Sequence, residues 1–230
     1  MPENTRLSGS IARIDLGFIQ REATPRVLMK LSIQLHLAVL SLSNTVSILE
    51  LFGVNRARST VHNWVHKADL QPESGRNPDH VAVDETVIQL NNKQYWLYAA
   101  IDPDTNELLH TTLDPTRMNV IAHAFFTELQ EKHDVEDVTR NRRFLVGERI
   151  AERFVNAVFL IDGATPLNNA CHRHGLGFRY EKHGNRNSVE RIFREIKRRT
   201  VTFSNCFSHA QADTADDWLS SFAFAWNQLS

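Results

Sequence analysis

Three acidic residues, Asp84, Asp162 and Glu190, stand in places where an acid needs a reason. Asp84 interrupts HVAVDETVIQL (residues 80–90), which is apolar at Val81, Val83 and Val87 and also at Ala82, Ile88 and Leu90. A strand apolar on both faces belongs inside a covered sheet, where an unpaired carboxylate costs roughly several kcal/mol. Asp162 closes a second apolar run, VFLID, and Glu190 opens the amphipathic stretch NSVERIFREIKRR. Hard oxygen ligands of this type suit Mg²⁺ or Mn²⁺. Two such ions, about 4 Å apart, can activate an attacking oxygen and stabilise the leaving oxygen of a phosphodiester. Each acid also has a plainer use. Asp162 before Gly163 suits a turn, and Glu190 suits the positive end of a helix dipole.

Whether the three acids meet depends on the elements that carry them. HVAVDETVIQL, the turn NNK, QYWLYAAID, the turn DPDTNE and LLHTTLD read as three antiparallel strands. Residues 119–133 read as a helix with Ala122, Phe125, Phe126 and Leu129 on one face. A strand, NAVFLID, follows, then a helix over 166–174, the short strand GFRYEK, the helix NSVERIFREIKRR and a last helix over 214–229. Three strands, helix, strand, helix, strand, helix is the order of a ribonuclease-H-like fold, with the first strand central and NAVFLID parallel beside it. Val189, Ile192, Phe193 and Ile196 mark the buried stripe of the later helix, and Glu190 borders it. Glu85 should face away from Asp84, and Asp102 and Asp104 in DPDT are turn chemistry. The cluster CHRH with His183 matches no tetrahedral zinc spacing.

The first third is helical. RVLMKLSIQLHLAVLSL spaces Val27, Leu28, Leu31, Leu35, Val39 and Leu42 as one amphipathic face. Ser43 or Asn44 can cap a second helix, TVSILELF, and Gly53 follows as a stop. RSTVHNWVHKADL then places Val61, Trp64, Val65 and Ala68 on one stripe. Helix, glycine-containing turn, helix is the outline of a helix-turn-helix, in which Arg56, Arg58, Ser59, His62, Asn63 and Lys67 would touch phosphates and bases. A plain helical hairpin with a solvated face gives the same pattern. PESGRNPDH reads as a linker. The expected organisation is a helical region over 1–70, a linker over 71–79 and an α/β core over 80–230 with a mixed sheet flanked by helices.

Composition narrows the classes. With 42% hydrophobic and 23% charged residues the chain has material for a core. It shows no stretch near the roughly 20 apolar residues of a membrane span; the segment 27–42 is broken by Lys30, Gln34 and His36. MPENTRLSGS lacks the layout of a signal peptide, and Cys171 and Cys206 read as free thiols. A cytoplasmic, nucleoid-associated protein is expected, without membrane partners. Net charge is only −1, but RNSVERIFREIKRRT gathers Arg186, Arg191, Arg194, Lys197, Arg198 and Arg199 against Glu190 and Glu195. That basic face suits phosphate.

VAVDETVIQLNNKQYWLYAAID, VFLIDGA and HGNRNSVERIFREIKRRTVTFSNCFS together resemble the catalytic core of prokaryotic DDE insertion-sequence transposases, nearest to the family numbered six and its haloarchaeal branch. STVHNWV resembles the segment ahead of that core, so the likeness spans nearly the whole chain. The resemblance implies an integrase-type catalytic core, Mg²⁺- or Mn²⁺-dependent cleavage with two ions, and strand transfer at the element's ends. It places the catalytic and metal-binding triad on Asp84, Asp162 and Glu190. Arg194, Lys197 and Arg198, further along the same helix, would hold the DNA backbone. DNA and further copies of the chain, as a homodimer or higher homo-oligomer, are the implied partners. One departure is extra chain at 138–156, ahead of the strand that delivers Asp162; its spacing predicts a short helix over 143–154. An inactive, transposase-derived DNA-binding protein is therefore an alternative, and a ligand-sensing helix-turn-helix regulator is another.

Overall fold

The computed structural model describes residues 11–19, 22–38, 40–133, 157–181, 184–202, 207 and 210–229. The segment 138–156 and its predicted helix lie outside the described residues. The chain divides into two units, residues 1–72 with 198–230, and residues 73–197.

The second unit is built on a five-stranded sheet. Its strands are β1 (His80–Leu90), β2 (Lys93–Ile101), β3 (Leu108–Asp114), β4 (Val158–Ile161) and β5 (Phe178–Tyr180). Their order is β3-β2-β1-β4-β5, antiparallel among the first three and parallel from β1 to β4 and from β4 to β5. This mixed sheet flanked by helices is compatible with a ribonuclease-H-like core. β1 lies at its centre.

The β1–β2 hairpin turns on Asn91 and Asn92, at φ +49° and +60°, while Lys93 already pairs with Leu90. Two consecutive left-handed residues match the twist of a hairpin, and asparagine tolerates them. At the β2–β3 turn the Asp102 carboxylate accepts from the amides of Asp104 and Thr105 and from the Thr105 hydroxyl. Asp102 is a turn residue here.

Helices α4 (Asn119–Lys132) and α5 (Thr165–His174) belong to a core in which Val81, Val83, Tyr98, Ala100, Phe159 and Ile161 meet Phe125, Phe126, Leu129, Leu167 and Ala170. Val81 and Val83 are odd positions of β1, which face one side as the period of two requires. The even positions, among them Ala82, Asp84 and Thr86, face the other way. There α6 (Asn187–Thr202) follows a short 3₁₀ turn (Gly184–Arg186), and Lys197 on α6 donates to Thr86 Oγ1 at 2.6 Å. Val189, Ile192, Phe193 and Ile196 are all buried, as the spacing predicts.

The segment read as a linker is tied to this unit. Gly75 N donates to Lys132 O at 2.7 Å, and Arg76 pairs with Glu73 and Glu107.

The first unit comprises α1 (Arg26–Ala38), α2 (Leu42–Leu51), α3 (Arg58–Lys67) and α7 (Ala212–Leu229). The final helix, expected in the core region 80–230, clusters instead with the N-terminal helices. Phe224 and Ala225 join Met29, Ile33, Leu37, Val61, Trp64 and Val65 in one apolar cluster. The expected α1 stripe is also corrected: Met29, Ile33 and Leu37 are buried, Leu28, Leu31 and Leu35 only partly, and Val27 is 63% exposed. Apolar residues stand on every side of this helix, interleaved with polar ones, and its partners decide which stripe is covered, Ser32, Gln34 and His36 included. The cap of α2 is Ser41, not Ser43 or Asn44; its Oγ accepts from Asn44 N at 3.1 Å. No helix of the described residues is long and apolar enough to cross a membrane.

Candidate functional site

Asp84, Asp162 and Glu190 arrive from three different elements. In the β1–β4 register Ala82 lies beside Leu160, so two residues on Asp84 is level with Asp162, one step past the end of β4. Asp162 Oδ1 accepts from Ala164 N at 2.7 Å, which with Gly163 at φ +87° turns the chain toward α5. Its other oxygen lies 3.7 Å from Arg186 Nη2. Glu190 sits in the first turn of α6 with its side chain about half exposed.

The group that unites them is Arg186. Its Nη2 donates to Asp84 Oδ2 at 2.6 Å and lies 3.7 Å from Asp162 Oδ2, while Nη1 lies 3.6 Å from Glu190 Oε1. Arg186 is 8% exposed and Asp84 7%. The turn that presents this guanidinium is held by Glu181, whose Oε1 accepts from Asn185 N at 2.7 Å and whose Oε2 pairs with Arg179. Glycine suits position 184. Its φ is +85°, and a Cβ would come within 2.8 Å of Glu181 Oε1.

Burial pushes the Asp84 carboxyl above its ordinary value, against the opposing pull of Arg186 and of the Glu85 amide; the charge of Asp162 adds to the rise. Burial alone would favour the neutral acid, and a cation close by favours its ionised form. In this arrangement that cation is Arg186. The donor types suit a hard divalent ion, and with Arg186 inserted among them the three carboxylates are not gathered as a ligand set. Among the described residues no group of three or more His, Cys, Asp or Glu side chains is disposed to hold a metal ion. Sequence alone groups Arg186 with the residues of a basic face. Its spacing of four from Glu190 is shared by the exposed Arg194, so spacing does not single it out.

Sequence comparison adds little to this geometry. No protein-family model matches the chain. An uncharacterized protein of Methanocaldococcus jannaschii is 26% identical over 174 residues, covering 74% of this chain and 72% of its own. Among solved structures, a chain in the cryo-EM structure of the simian T-cell lymphotropic virus intasome in complex with PP2A regulatory subunit B56 gamma aligns at 13% identity with a TM-score of 0.42. That alignment covers 83% of this chain and 66%, just under two thirds, of the other. A likeness that slight identifies neither fold nor activity.

The basic residues divide. Arg194, Lys197 and Arg198 are exposed along α6, while Arg186 and Arg199 turn inward. The Arg199 guanidinium donates to Leu37 O and stacks 4.9 Å from the Phe222 ring centroid. The expected basic face is narrower by these two. On α3, Arg58, Ser59, His62, Asn63 and Lys67 are exposed; Arg56, ahead of it, is half-buried and pairs with Glu22 at 3.1 Å.

The CHRH segment is structural. Cys171 is buried with its thiol pushed up to about 12 by burial, His172 packs edge-on against Phe178, and His174 lies beside Phe126 and His123. His183 and Cys206 lie outside the described residues.

On the odd face of β1, Glu85 is ion-paired with Arg117, which stacks over Trp96. Burial raises the Glu85 carboxyl, and burial together with Glu85 pushes its cross-strand neighbour Tyr98 up to about 12. Glu85 Oε2 and the Tyr98 hydroxyl are both buried without hydrogen-bond partners. Glu85 is thus removed from the Asp84 site by the alternation of the strand.

Proposed function

We propose that this chain is a DNA-processing enzyme of the polynucleotidyl-transferase class, the transposase of an insertion sequence. The observation that carries the reading is the convergence of Asp84, Asp162 and Glu190, from a central strand, the end of its parallel neighbour and an adjoining helix. Carboxylates gathered at the edge of a parallel strand pair suit phosphodiester chemistry. The likeness of VDET and NSVERIFREIKRR to the insertion-sequence family numbered six supports the same choice.

In this reading water attacks a phosphodiester at the element's end and releases a 3′-hydroxyl, which then attacks a target phosphodiester, joins to its phosphorus and releases the target's 3′-hydroxyl. Arg194, Lys197 and Arg198 run along α6 away from Glu190 and hold the phosphate backbone. The exposed residues of α3, with Arg56 ahead of it, recognise the terminal repeats as a helix-turn-helix. Two copies or more bring two ends together. Asp84, Asp162 and Glu190 would hold a divalent ion, Mg²⁺ or Mn²⁺, once Arg186 has withdrawn, and such an ion would supply Lewis-acid chemistry there.

The test is strand transfer from a donor plasmid carrying the inverted repeats that flank the coding region. Asp84→Asn, Asp162→Asn and Glu190→Gln should each abolish product while leaving DNA binding intact. Product formation by Asp84→Asn would refute the reading. A second reading, a catalytically inactive DNA-binding derivative, is favoured by the guanidinium lodged among the three acids. It predicts repeat-specific binding without product from the wild type and from Arg186→Gln alike.

A further inference from the structure

We propose that Arg186 is a built-in counter-cation of the acidic site, holding it together in the cation-free protein and withdrawing when a divalent cation enters. This rests on the reading of Asp84, Asp162 and Glu190 as cation-binding residues, and adds a threshold to it. The divalent ion must compete with a residue of the chain itself.

The geometry supplies the motive for both halves. Three carboxylates crowded together without a cation would repel, and a guanidinium buried among them lowers that cost. Yet one positive charge facing three acids leaves the cluster net negative. The fit is also incomplete. Only Asp84 lies within hydrogen-bond distance of Arg186; Asp162 and Glu190 stand at 3.7 and 3.6 Å. Arg186 Nε is buried with no partner, which is a standing cost of the inserted position. A compact ion of double charge can draw all three carboxylates in, which a planar fork cannot.

The carrier of Arg186 differs from the carriers of the acids. Asp84 is paired with Ala99 within β1 and Asp162 directly follows the buried strand β4; Glu190 belongs to a helix with a buried stripe. Arg186 ends a three-residue 3₁₀ turn whose hold includes the Glu181 bridge to Asn185 N. Short turns of this kind rearrange at lower cost than a central strand. Arg186 can therefore leave while the acids stay.

The experiment measures Mn²⁺ binding to the full chain by isothermal titration, and thermal unfolding in EDTA and in Mn²⁺. Wild type, Arg186→Gln, Arg186→Lys and the double variant Asp84→Asn with Arg186→Gln are compared. Removing a competing charged hydrogen bond should tighten Mn²⁺ binding by about ten- to a hundredfold in Arg186→Gln. Its unfolding temperature should drop in EDTA and recover in Mn²⁺. Arg186→Lys should fall between, and the double variant should lose the gain. In wild type, Mg²⁺ should accelerate hydrogen exchange of the Arg186 side-chain Nε–H, observed by NMR, so the proposal stays testable if Arg186→Gln fails to fold. Unchanged or weaker Mn²⁺ binding in Arg186→Gln, or an Arg186 Nε–H insensitive to Mg²⁺, would overturn the role of Arg186 alone. Absence of Mn²⁺ binding in every protein would overturn the cation-site reading beneath it as well.

Discussion

Gly184→Ala probes the turn that presents Arg186 without touching an acid of the site. The substitution forces a side chain into φ +85°, and its Cβ would meet Glu181 Oε1 at 2.8 Å. A left-handed conformation costs an L-residue about 1–2 kcal/mol. Displacing Glu181 from Asn185 N, now bonded at 2.7 Å, costs about a further 1 kcal/mol. The stiffer alanine lowers the entropy of the unfolded chain and offsets about 0.5 kcal/mol. The net expectation is a destabilisation of about 2 kcal/mol, read from urea unfolding of the full chain. A double-mutant cycle with Glu181→Ala isolates the cause. Once alanine occupies position 184, Glu181 no longer holds its bond, so its removal should cost less than in the wild type, by about 1 kcal/mol of coupling. Strict additivity, or a loss below about 0.5 kcal/mol for Gly184→Ala alone, would show that the close approach to Glu181 does not constrain the turn.

Other outcomes follow from the same charges. Burial raises the folded Glu85 carboxyl above its ordinary value of 4.5, so its ionisation opposes folding and stability is lost as pH rises from there through the folded value. Glu85→Gln should reduce that slope in urea midpoints across the acidic range and leave stability at pH 7 equal or higher; a loss beyond about 1 kcal/mol would show that the Arg117 pair outweighs burial. Buried His110 has the opposite sense. Burial lowers its folded pKa despite Glu128, so the unfolded chain takes up the proton first, and stability falls as pH drops below about 6.5 toward the folded value. His110→Asn should flatten that slope in the same measurement, whatever its effect at neutral pH. Replacing Arg194, Lys197 and Arg198 by Gln should weaken DNA binding for all sequences alike. The slope of log affinity against log salt should shrink by about 0.9 for each phosphate that is no longer neutralised, and an unchanged slope would place the DNA elsewhere.

The sequence by itself determined the strands, their hairpin order and the acid that does not belong. Period-two alternation shows directly which face of β1 each residue takes, so Asp84 and Glu85 are assigned to opposite sides before any fold is known. The α6 stripe of Val189, Ile192, Phe193 and Ile196 was equally legible, because the rest of that helix is charged and only one face can be buried. α1 offered no such contrast. Its apolar residues stand on every side, and only its neighbours chose Met29, Ile33 and Leu37 over Leu28, Leu31 and Leu35. The affiliation of α7 with the N-terminal helices was hidden for the same reason, since an amphipathic pattern reports a buried face and not the partner that buries it. Arg186 was the hardest to read. It stands 102 residues from Asp84 in a stretch dense with basic side chains, and nothing local separates the one that turns inward from those that face solvent. Local pattern sets the secondary structure and the face; which charge meets which depends on chain distant in sequence, and only the tertiary structure decided that.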